Sequence, residues 1–261
     1  NLSFLANASY VKNEIKNLGN QTGYIDKESL PTLGTVSRNE NGYPIGYFFG
    51  YKAIGVFQTQ EEIDSYISPI QPNAAPGDTK FEDLNGDGVI SDDNEDRTMI
   101  GKPNPDWMVG LTVAADWNGF DLSAFFQGSF GADVFDALRR YELAAVNYTS
   151  DALERWTGPG TSNSMPRIVL GDTPKNFRPS TLLVHDASFL RLRNLQVGYT
   201  LPAQLTRKAY IQRLRFYASF DNLLTITGYK GMDPEIGSTM GIDKGVYPQA
   251  RVYTFGLNLT F

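Results

Sequence analysis

The sequence predicts an all-β fold, and more narrowly a transmembrane antiparallel β-barrel, on three observations. Several segments of about ten residues alternate apolar and polar side chains, which is the period of a strand with two unlike faces. The apolar faces carry aromatic residues at their ends, as lipid-facing strands do at the membrane interfaces. Short and very long connections alternate between the segments, as they do in barrels with short turns on one side of the membrane and long loops on the other.

The composition of the 261 residues agrees with this class and argues against others. A formal net charge of −6 argues against a nucleic-acid partner. The absence of cysteine excludes a disulfide scaffold and thiolate chemistry. No apolar run is long enough for a spanning helix, but alternating strands can cross a membrane while the average hydropathy stays low.

Six segments carry the alternation: residues 1–13, 107–117, 120–127, 194–201, 213–222 and 251–261. The segment 107–117 has a tryptophan at each end and the length that a tilted strand needs to cross a bilayer. Asn118 and Gly119 follow directly, and this dipeptide is a strong signal for a two-residue hairpin turn. The last segment places five residues on one apolar face, namely Tyr253, Phe255, Leu257, Leu259 and Phe261.

The alternation also predicts which side chains contact lipid and which line a polar lumen. The predicted lipid-facing residues include Leu111, Val113, Phe120, Leu122, Phe216 and Leu257. The predicted lumen-facing residues include Thr112, Ser123, Ser219 and Asn258. Outer-membrane lipid is therefore a predicted contact of this chain.

The connections predict the topology and the size of the parent barrel. Residues 14–106, 129–187 and 223–249 form long connections that all fall on one side of the membrane, which we assign as extracellular. Short helices are predicted within two of them, from Thr59 through Ile67 and from Ser150 through Trp156. Six strands cannot close a barrel around a lumen, and open edges are not tolerated in lipid. We therefore expect further strands outside this sequence.

One acidic segment matches the start of a calcium-binding loop. Residues 83–90 read DLNGDGVI, with oxygen ligands at positions one, three and five, glycine at six and a backbone carbonyl at seven. The predicted Ca²⁺ ligands are Asp83, Asn85, Asp87, the carbonyl of Val89 and, at position twelve, Asn94. Position twelve is normally a bidentate glutamate, and no long flanking helices are evident. The alternative is a turn-rich acidic loop held by side-chain hydrogen bonds.

No catalytic constellation is evident, so we expect that the chain is not an enzyme. His185 is the only histidine, and no cluster of zinc-ligand spacing surrounds it. Patterns of a serine nucleophile elbow and of a phosphate-binding loop are absent. Loop aromatics such as Tyr43, Tyr51 and Phe57 are expected to pack the loops against one another and against a partner.

Several blocks, spread over almost the whole chain, point to one family. They are residues 76–88 (PGDTKFEDLNGDG), 100–105 (IGKPNP), 119–123 (GFDLS), 188–194 (SFLRLRN), 198–202 (GYTLP), 233–235 (DPE), 245–248 (GVYP) and 258–261 (NLTF). In their content and order, these blocks resemble the SusC/RagA family of TonB-dependent outer-membrane transporters.

The resemblance implies a 22-stranded barrel with an N-terminal plug in the outer membrane of a Gram-negative bacterium. It implies active import of oligosaccharides or oligopeptides, with a SusD-like surface lipoprotein as lid and with energy from the TonB complex. This sequence departs from the family in lacking the plug domain and the TonB box. We therefore expect residues 1–261 to be the C-terminal part of the barrel, with its last six strands.

Two other classes of protein were weighed against the transporter. A secreted, calcium-dependent glycan-binding β-sandwich would also show alternating strands, but it would bury the whole face from Trp107 to Trp117 and seldom end it with two tryptophans. A hydrolase on an all-β scaffold lacks its catalytic constellation in this sequence. Glycan and peptide both remain open as substrate classes.

Overall fold

Six long strands form one antiparallel sheet in the computed structural model, which describes residues 1–92, 94–139, 147–236 and 240–261. The strands are β1 (Leu2–Tyr10), β2 (Trp107–Trp117), β3 (Phe120–Phe130), β4 (Phe189–Thr200), β5 (Arg213–Thr227) and β6 (Val252–Thr260). Each long strand pairs with the next one along the chain, so the sheet is a meander. Within the described residues β1 and β6 do not pair, and the sheet is open at both edges. The all-β prediction is confirmed; closure into a barrel lies beyond this chain.

The strand register confirms the predicted division into an apolar and a polar face. Leu111 pairs with Ala6 on one side and Phe126 on the other, and Phe216 pairs with Leu257. Directly paired residues of antiparallel strands lie on the same face, so these side chains form one continuous apolar surface. That surface is uncovered, since Trp117 and Phe255 are 74% and 76% exposed. No second sheet of the described part packs on it, which argues against the sandwich.

A β-bulge in β4 and β5 explains why both strands are longer than predicted. Asn194 pairs with Asp221 but Leu192 pairs with Leu224, so the register shifts around Arg193. Asn222 on the partner strand adopts a left-handed φ of 52°. A bulge interrupts the alternation of side chains. The alternating pattern therefore began at 194 in the sequence, although the strand itself begins at Phe189.

The connections leave the sheet as the sequence predicted, with all three long ones at the same end. We call residues 11–106 loop 1, residues 131–188 loop 2 and residues 228–251 loop 3. The two short connections, residues 118–119 and 201–212, lie at the opposite end. The second of them contains the short helix Ala203–Thr206 and the 3-10 turn Arg207–Ala209.

The long loops contain short strands that the sequence analysis did not predict. One sheet comprises Tyr24–Asp26, Ser37–Glu40, Tyr47–Gly50 and Thr98–Gly101, and two strand pairs join Ser29–Leu30 to Gly34–Thr35 and Ala53–Val56 to Thr79–Phe81. A further sheet places Asp133–Asp136 between Val184–Asp186 and Ile242–Asp243, and so joins loop 2 to loop 3. Strands of this length are too short to show a recognisable alternation.

The predicted loop helices are both shorter than expected. The first spans Gln60–Asp64, and the Thr59 side chain makes no capping hydrogen bond; the Glu62 carboxylate instead accepts from the backbone N–H of Gln58 at 3.0 Å. The second is a 3-10 helix over Ser150–Glu154. Two more 3-10 turns cover Leu170–Asp172 and Thr181–Leu183. Among the described residues, no helix has the length and apolarity to span a membrane.

The three long loops share one hydrophobic core and so form a single body, which we call the loop cap. Loop 1 contributes Val36 and Phe48, loop 2 contributes Phe135 and Leu183, and loop 3 contributes Ile242, all of them buried. The predicted packing of loop aromatics against one another is confirmed for Tyr51 and Phe57, which are buried as well, and their packing against a partner stays a prediction. The loop cap stands on the end of the sheet at which β4 begins and β5 ends.

Candidate functional site

The polar face of the sheet carries an ion pair that spans three strands. Arg215 on β5 donates to the two carboxylate oxygens of Asp121 on β3, from Nε at 2.8 Å and from Nη2 at 2.5 Å. Its Nη2 also donates to Gln196 on β4 at 3.2 Å. The pair crosses Gly198, where a Cβ atom would lie 2.4 Å from Nη2 of Arg215. Glycine at this position therefore makes room for the pair. Asp121 and Gly198 belong to two of the sequence blocks that pointed to the family.

A second cluster joins strand β4 to loop 3. Arg191 is 2% exposed, and its guanidinium donates to Asp233 at 2.5 Å, to Glu235 at 3.0 Å and to Thr225 at 2.9 Å. Arg193 donates to both carboxylate oxygens of Glu235, at 2.6 and 2.7 Å. The bulge turns both arginines, together with Asn194, towards the polar face. We call this cluster the loop 3 anchor.

Electrostatics strengthen the loop 3 anchor. Burial raises the pKa of Asp233, but backbone hydrogen bonds from Gln249 and Glu235 and the Arg191 guanidinium lower it by more, so the pKa of this carboxyl lies below its usual range. The carboxylate is therefore charged at neutral pH and pairs with a charged arginine. From the sequence, residues 188–194 and 233–235 are evident only as family blocks. The alternate arginines of the first block and the two acidic residues of the second are the features from which an ion-pair cluster could have been predicted.

In the acidic loop, the side chains of Asp83, Asn85 and Asp87 make hydrogen bonds within the loop, whereas Asn94 bonds to a residue outside it. The carboxylate of Asp83 accepts from the backbone N–H groups of Gly86 and Gly88 at 2.7 and 2.8 Å. Asn85 donates to Asp87 at 3.1 Å. Asn94, in contrast, accepts a hydrogen bond from Arg38 at 3.3 Å.

The loop is closed by the fully buried Asp96. Its carboxylate accepts from the backbone N–H of Leu84 at 3.1 Å and of Ser91 at 2.7 Å, and so joins the two sides of the loop. No group of three or more His, Cys, Asp or Glu side chains in the described parts of the chain has a metal-binding arrangement. The predicted set relies on amide and carbonyl oxygens beside Asp83 and Asp87, and the donor types at positions one, three, five and seven suit calcium. Calcium at this loop stays a prediction.

Two neighbouring cavities lie in the loop cap, next to the ends of β4 and β5. The larger has a volume of about 570 Å³ and receives residues from all three loops. The smaller has a volume of about 430 Å³. Four residues line both cavities and form the partition between them, namely Arg139, Asp151, His185 and Lys230.

The partition is a chain of ion pairs. Arg139 binds Asp136 at 3.0 Å and Asp151 at 2.8 Å, and Lys230 lies 3.4 Å from Asp151. His185 lies on the strand Val184–Asp186, with Nε2 at 3.8 Å from Asp136 and without a hydrogen-bond partner among the described residues. Burial, reinforced by the charge of Arg139, lowers the pKa of His185 below its ordinary value, so the ring is neutral at neutral pH. That His185 is a loop histidine without a catalytic role stays a prediction.

Comparisons with known proteins agree with this geometry. No family model matches the chain. TonB-dependent receptor P3 of Formosa agariphila is 35% identical over 231 residues, which is 84% of this chain and 22% of that protein. TonB-dependent receptor SusC of Bacteroides thetaiotaomicron is 30% identical over 258 residues, which is 98% of this chain and 24% of that protein.

A solved structure shows the same fold. The structure of the RagAB peptide transporter superposes with a TM-score of 0.75 at 28% sequence identity, over 100% of this chain and 27% of that chain. The superposition covers the six-stranded sheet and the loop cap together, because it extends over the whole of this chain. The chain belongs to the SusC/RagA-like TonB-dependent transporters, and it spans about a quarter of the length of the relatives that it matches.

Proposed function

We propose that this chain supplies part of the wall and of the extracellular cap of a TonB-dependent importer in the outer membrane of a Gram-negative bacterium. The observation that carries the proposal is the open six-stranded sheet, whose uncovered apolar face suits lipid and whose charged face suits a lumen. A structure with this sheet reaches stability in lipid only if further strands pair with its two edges.

The proposal includes the place of the chain in its parent protein. Residues 1–261 are the C-terminal part of a 22-stranded barrel, and the plug domain and the TonB box belong to the remainder. The chain performs no covalent chemistry. Its contribution to transport is to hold the loop cap over the lumen through the shared core and the loop 3 anchor.

The loop cap is proposed to carry a SusD-like surface lipoprotein. Several large apolar side chains of the cap are exposed, and large exposed apolar surface usually marks a contact site. They include Ile67, Leu153, Leu170, Met232 and Tyr247. The lipoprotein would act as a lid, and the assembly would enclose an oligosaccharide or oligopeptide above the lumen and bury more than roughly 2,000 Å².

Uptake and co-purification test these proposals. Cells that express the full-length parent should take up a labelled oligosaccharide or oligopeptide, and deletion of the TonB box should abolish that uptake. The parent purified in mild detergent should bring its neighbouring lipoprotein with it. Uptake that persists without the TonB box would refute the importer, and a parent that purifies alone from cells containing the lipoprotein would refute the lid.

A further inference from the structure

The larger cavity of the loop cap offers a ligand two kinds of charge. Among the described residues Lys230 makes one ion pair, at 3.4 Å from Asp151, and its side chain is 71% exposed, so its ammonium can bind an anionic group. Glu154 and Asp186 line the same cavity. Within the part of the chain that the structure describes, Glu154 makes no ion pair, and the Asp186 side chain accepts one hydrogen bond, from the backbone N–H of Ser188 at 2.8 Å. Besides the ion-paired Arg139 and Asp151, the cavity therefore presents one cationic and two anionic groups to its contents.

The rest of the lining mixes apolar side chains such as Ile54 and Leu182 with polar ones such as Asn163, and the imidazole of His185 is its one ring among the described residues. Asn163 accepts the backbone N–H of Val56 at 3.2 Å through its amide oxygen, which leaves its NH₂ group to donate to a ligand. No Trp, Tyr or Phe is among the described residues that line the cavity. Sugar rings are commonly held by stacking on aromatic side chains, whose faces are apolar. The lining thus lacks the feature that favours a neutral glycan.

The partition holds Asp151 by a contact that does not depend on Lys230. Arg139 holds Asp151 at 2.8 Å and is itself held by Asp136, so Asp151 stays paired when Lys230 moves to a ligand. The cavity is built by loops 1, 2 and 3 together, and its position beside the ends of β4 and β5 places it at the rim of the sheet.

From this geometry we propose that the larger cavity is a subsite for the zwitterionic parts of a short peptide. A carboxylate of the peptide binds Lys230, and an amino or guanidinium group binds Glu154 and Asp186. The inference rests on the proposed importer function and narrows its substrate class from glycan or peptide to peptide. The proposed subsite is separate from the Arg215–Asp121 pair and from the loop 3 anchor, because none of their residues lines this cavity.

The test uses the purified full-length parent transporter, with its lipoprotein, and three defined probes. The first probe is a tryptic digest of casein, whose peptides carry free termini and a basic C-terminal residue. The second is the same digest with its amines acetylated and its carboxyls amidated. The third is a maltodextrin mixture. Molecules retained after washing are identified by mass spectrometry.

The variants are Glu154→Gln and Lys230→Met, each of which removes one charge from an exposed side chain. Glu61→Gln and Lys208→Met are matched controls, because both residues are exposed and line neither cavity. We expect the parent to retain the free digest in preference to the other two probes. We expect each cavity variant to lower the affinity about fivefold, as the loss of a partly solvated ion pair does, and the controls to leave it unchanged.

The outcomes separate this site from the function on which it rests. Equal peptide retention by the cavity variants and the unaltered parent would overturn the subsite, and retention of maltodextrin alone would overturn the substrate class. Both results leave TonB-dependent uptake intact. Loss of uptake of every probe class in the unaltered parent would overturn the importer itself.

Discussion

Asp96 shows how one buried carboxylate organises the acidic loop. Its two oxygens bind backbone N–H groups from both sides of the loop, at Leu84 and Ser91. The carboxylate of Asp83 likewise accepts from two backbone N–H groups, those of Gly86 and Gly88, which lie closer to it in the chain. These hydrogen bonds satisfy backbone donors that regular structure would otherwise pair. The turn-rich alternative therefore accounts for the shape of the loop before any ion is considered.

Calcium binding is the prediction that belongs to the residue scale. We expect Ca²⁺ to bind Asp83, Asn85, Asp87 and the carbonyl of Val89 at about 10⁻⁴–10⁻³ M, as in extracellular modules, because Asn94 is held by Arg38 and supplies no bidentate carboxylate. Amide hydrogen exchange of residues 83–91 in the parent protein should slow in calcium relative to chelator.

The double variant Asp83→Asn and Asp87→Asn should remove this slowing. Asp64→Asn, on the helix Gln60–Asp64, is the matched control and should leave it unchanged. Exchange that is the same in calcium and in chelator would show that the loop is held by its own hydrogen bonds alone.

At the scale of elements, the bulge between β4 and β5 has a structural consequence for loop 3. The shift of register around Arg193 places Arg191, Arg193 and Asn194 on the same side of the sheet. The two arginines then reach the acidic pair of loop 3, while Asn194 stays within the wall by donating to Ser219 and Asp221. Without the bulge, a strict alternation would turn neighbouring residues to opposite faces.

The loop 3 anchor gives a prediction about order in the loop cap. Arg191→Ala leaves the buried Asp233 without its cation, and breaking a buried ion pair costs about 3–5 kcal/mol. We expect loop 3 to detach from the wall and to become a substrate for limited proteolysis in isolated outer membranes. Arg213→Ala is a suitable control because Arg213 is exposed at the far end of β5. Identical digestion patterns for Arg191→Ala and the unaltered parent would contradict the role of the anchor.

The whole molecule is defined by the contrast between its two faces. In the described parts of the chain nothing packs on the apolar face, whereas the polar face carries paired charges such as Arg215 with Asp121. A protein in water would lose stability by leaving such an apolar surface exposed, and a lipid environment removes that cost. The loop cap, in contrast, buries its own aromatic residues and has a core of its own.

A pair of neighbouring substitutions tests this contrast. Leu257→Arg places a charge on the apolar face near the middle of β6, and we expect it to destabilise the parent barrel by about 2–4 kcal/mol. Asn258→Arg places the same charge on the polar face and should cost much less. Urea unfolding of the parent in lipid vesicles measures both free energies. A larger loss for Asn258→Arg would reverse the assignment of the faces.

The sequence by itself determined the long strands, their faces and the end of the sheet from which the long loops leave. Strand β2 occupies the predicted residues 107–117, because a period of two over a full membrane-spanning length is a strong local signal. The family blocks were also readable from the sequence, although the pairing of 188–194 with 233–235 was not. That pairing depends on a bulge, which breaks the alternation from which strands are predicted.

Only the tertiary structure decided how the loop cap is built and where its cavities lie. Asp133–Asp136 pairs with Ile242–Asp243 from a different loop, and neither segment is long enough to show a period of its own. Likewise, Arg139, Asp151, His185 and Lys230 come from separate segments and meet only because the shared core brings loops 2 and 3 together. Contacts of this kind arise from packing between parts distant in the chain, so no local pattern of residues encodes them.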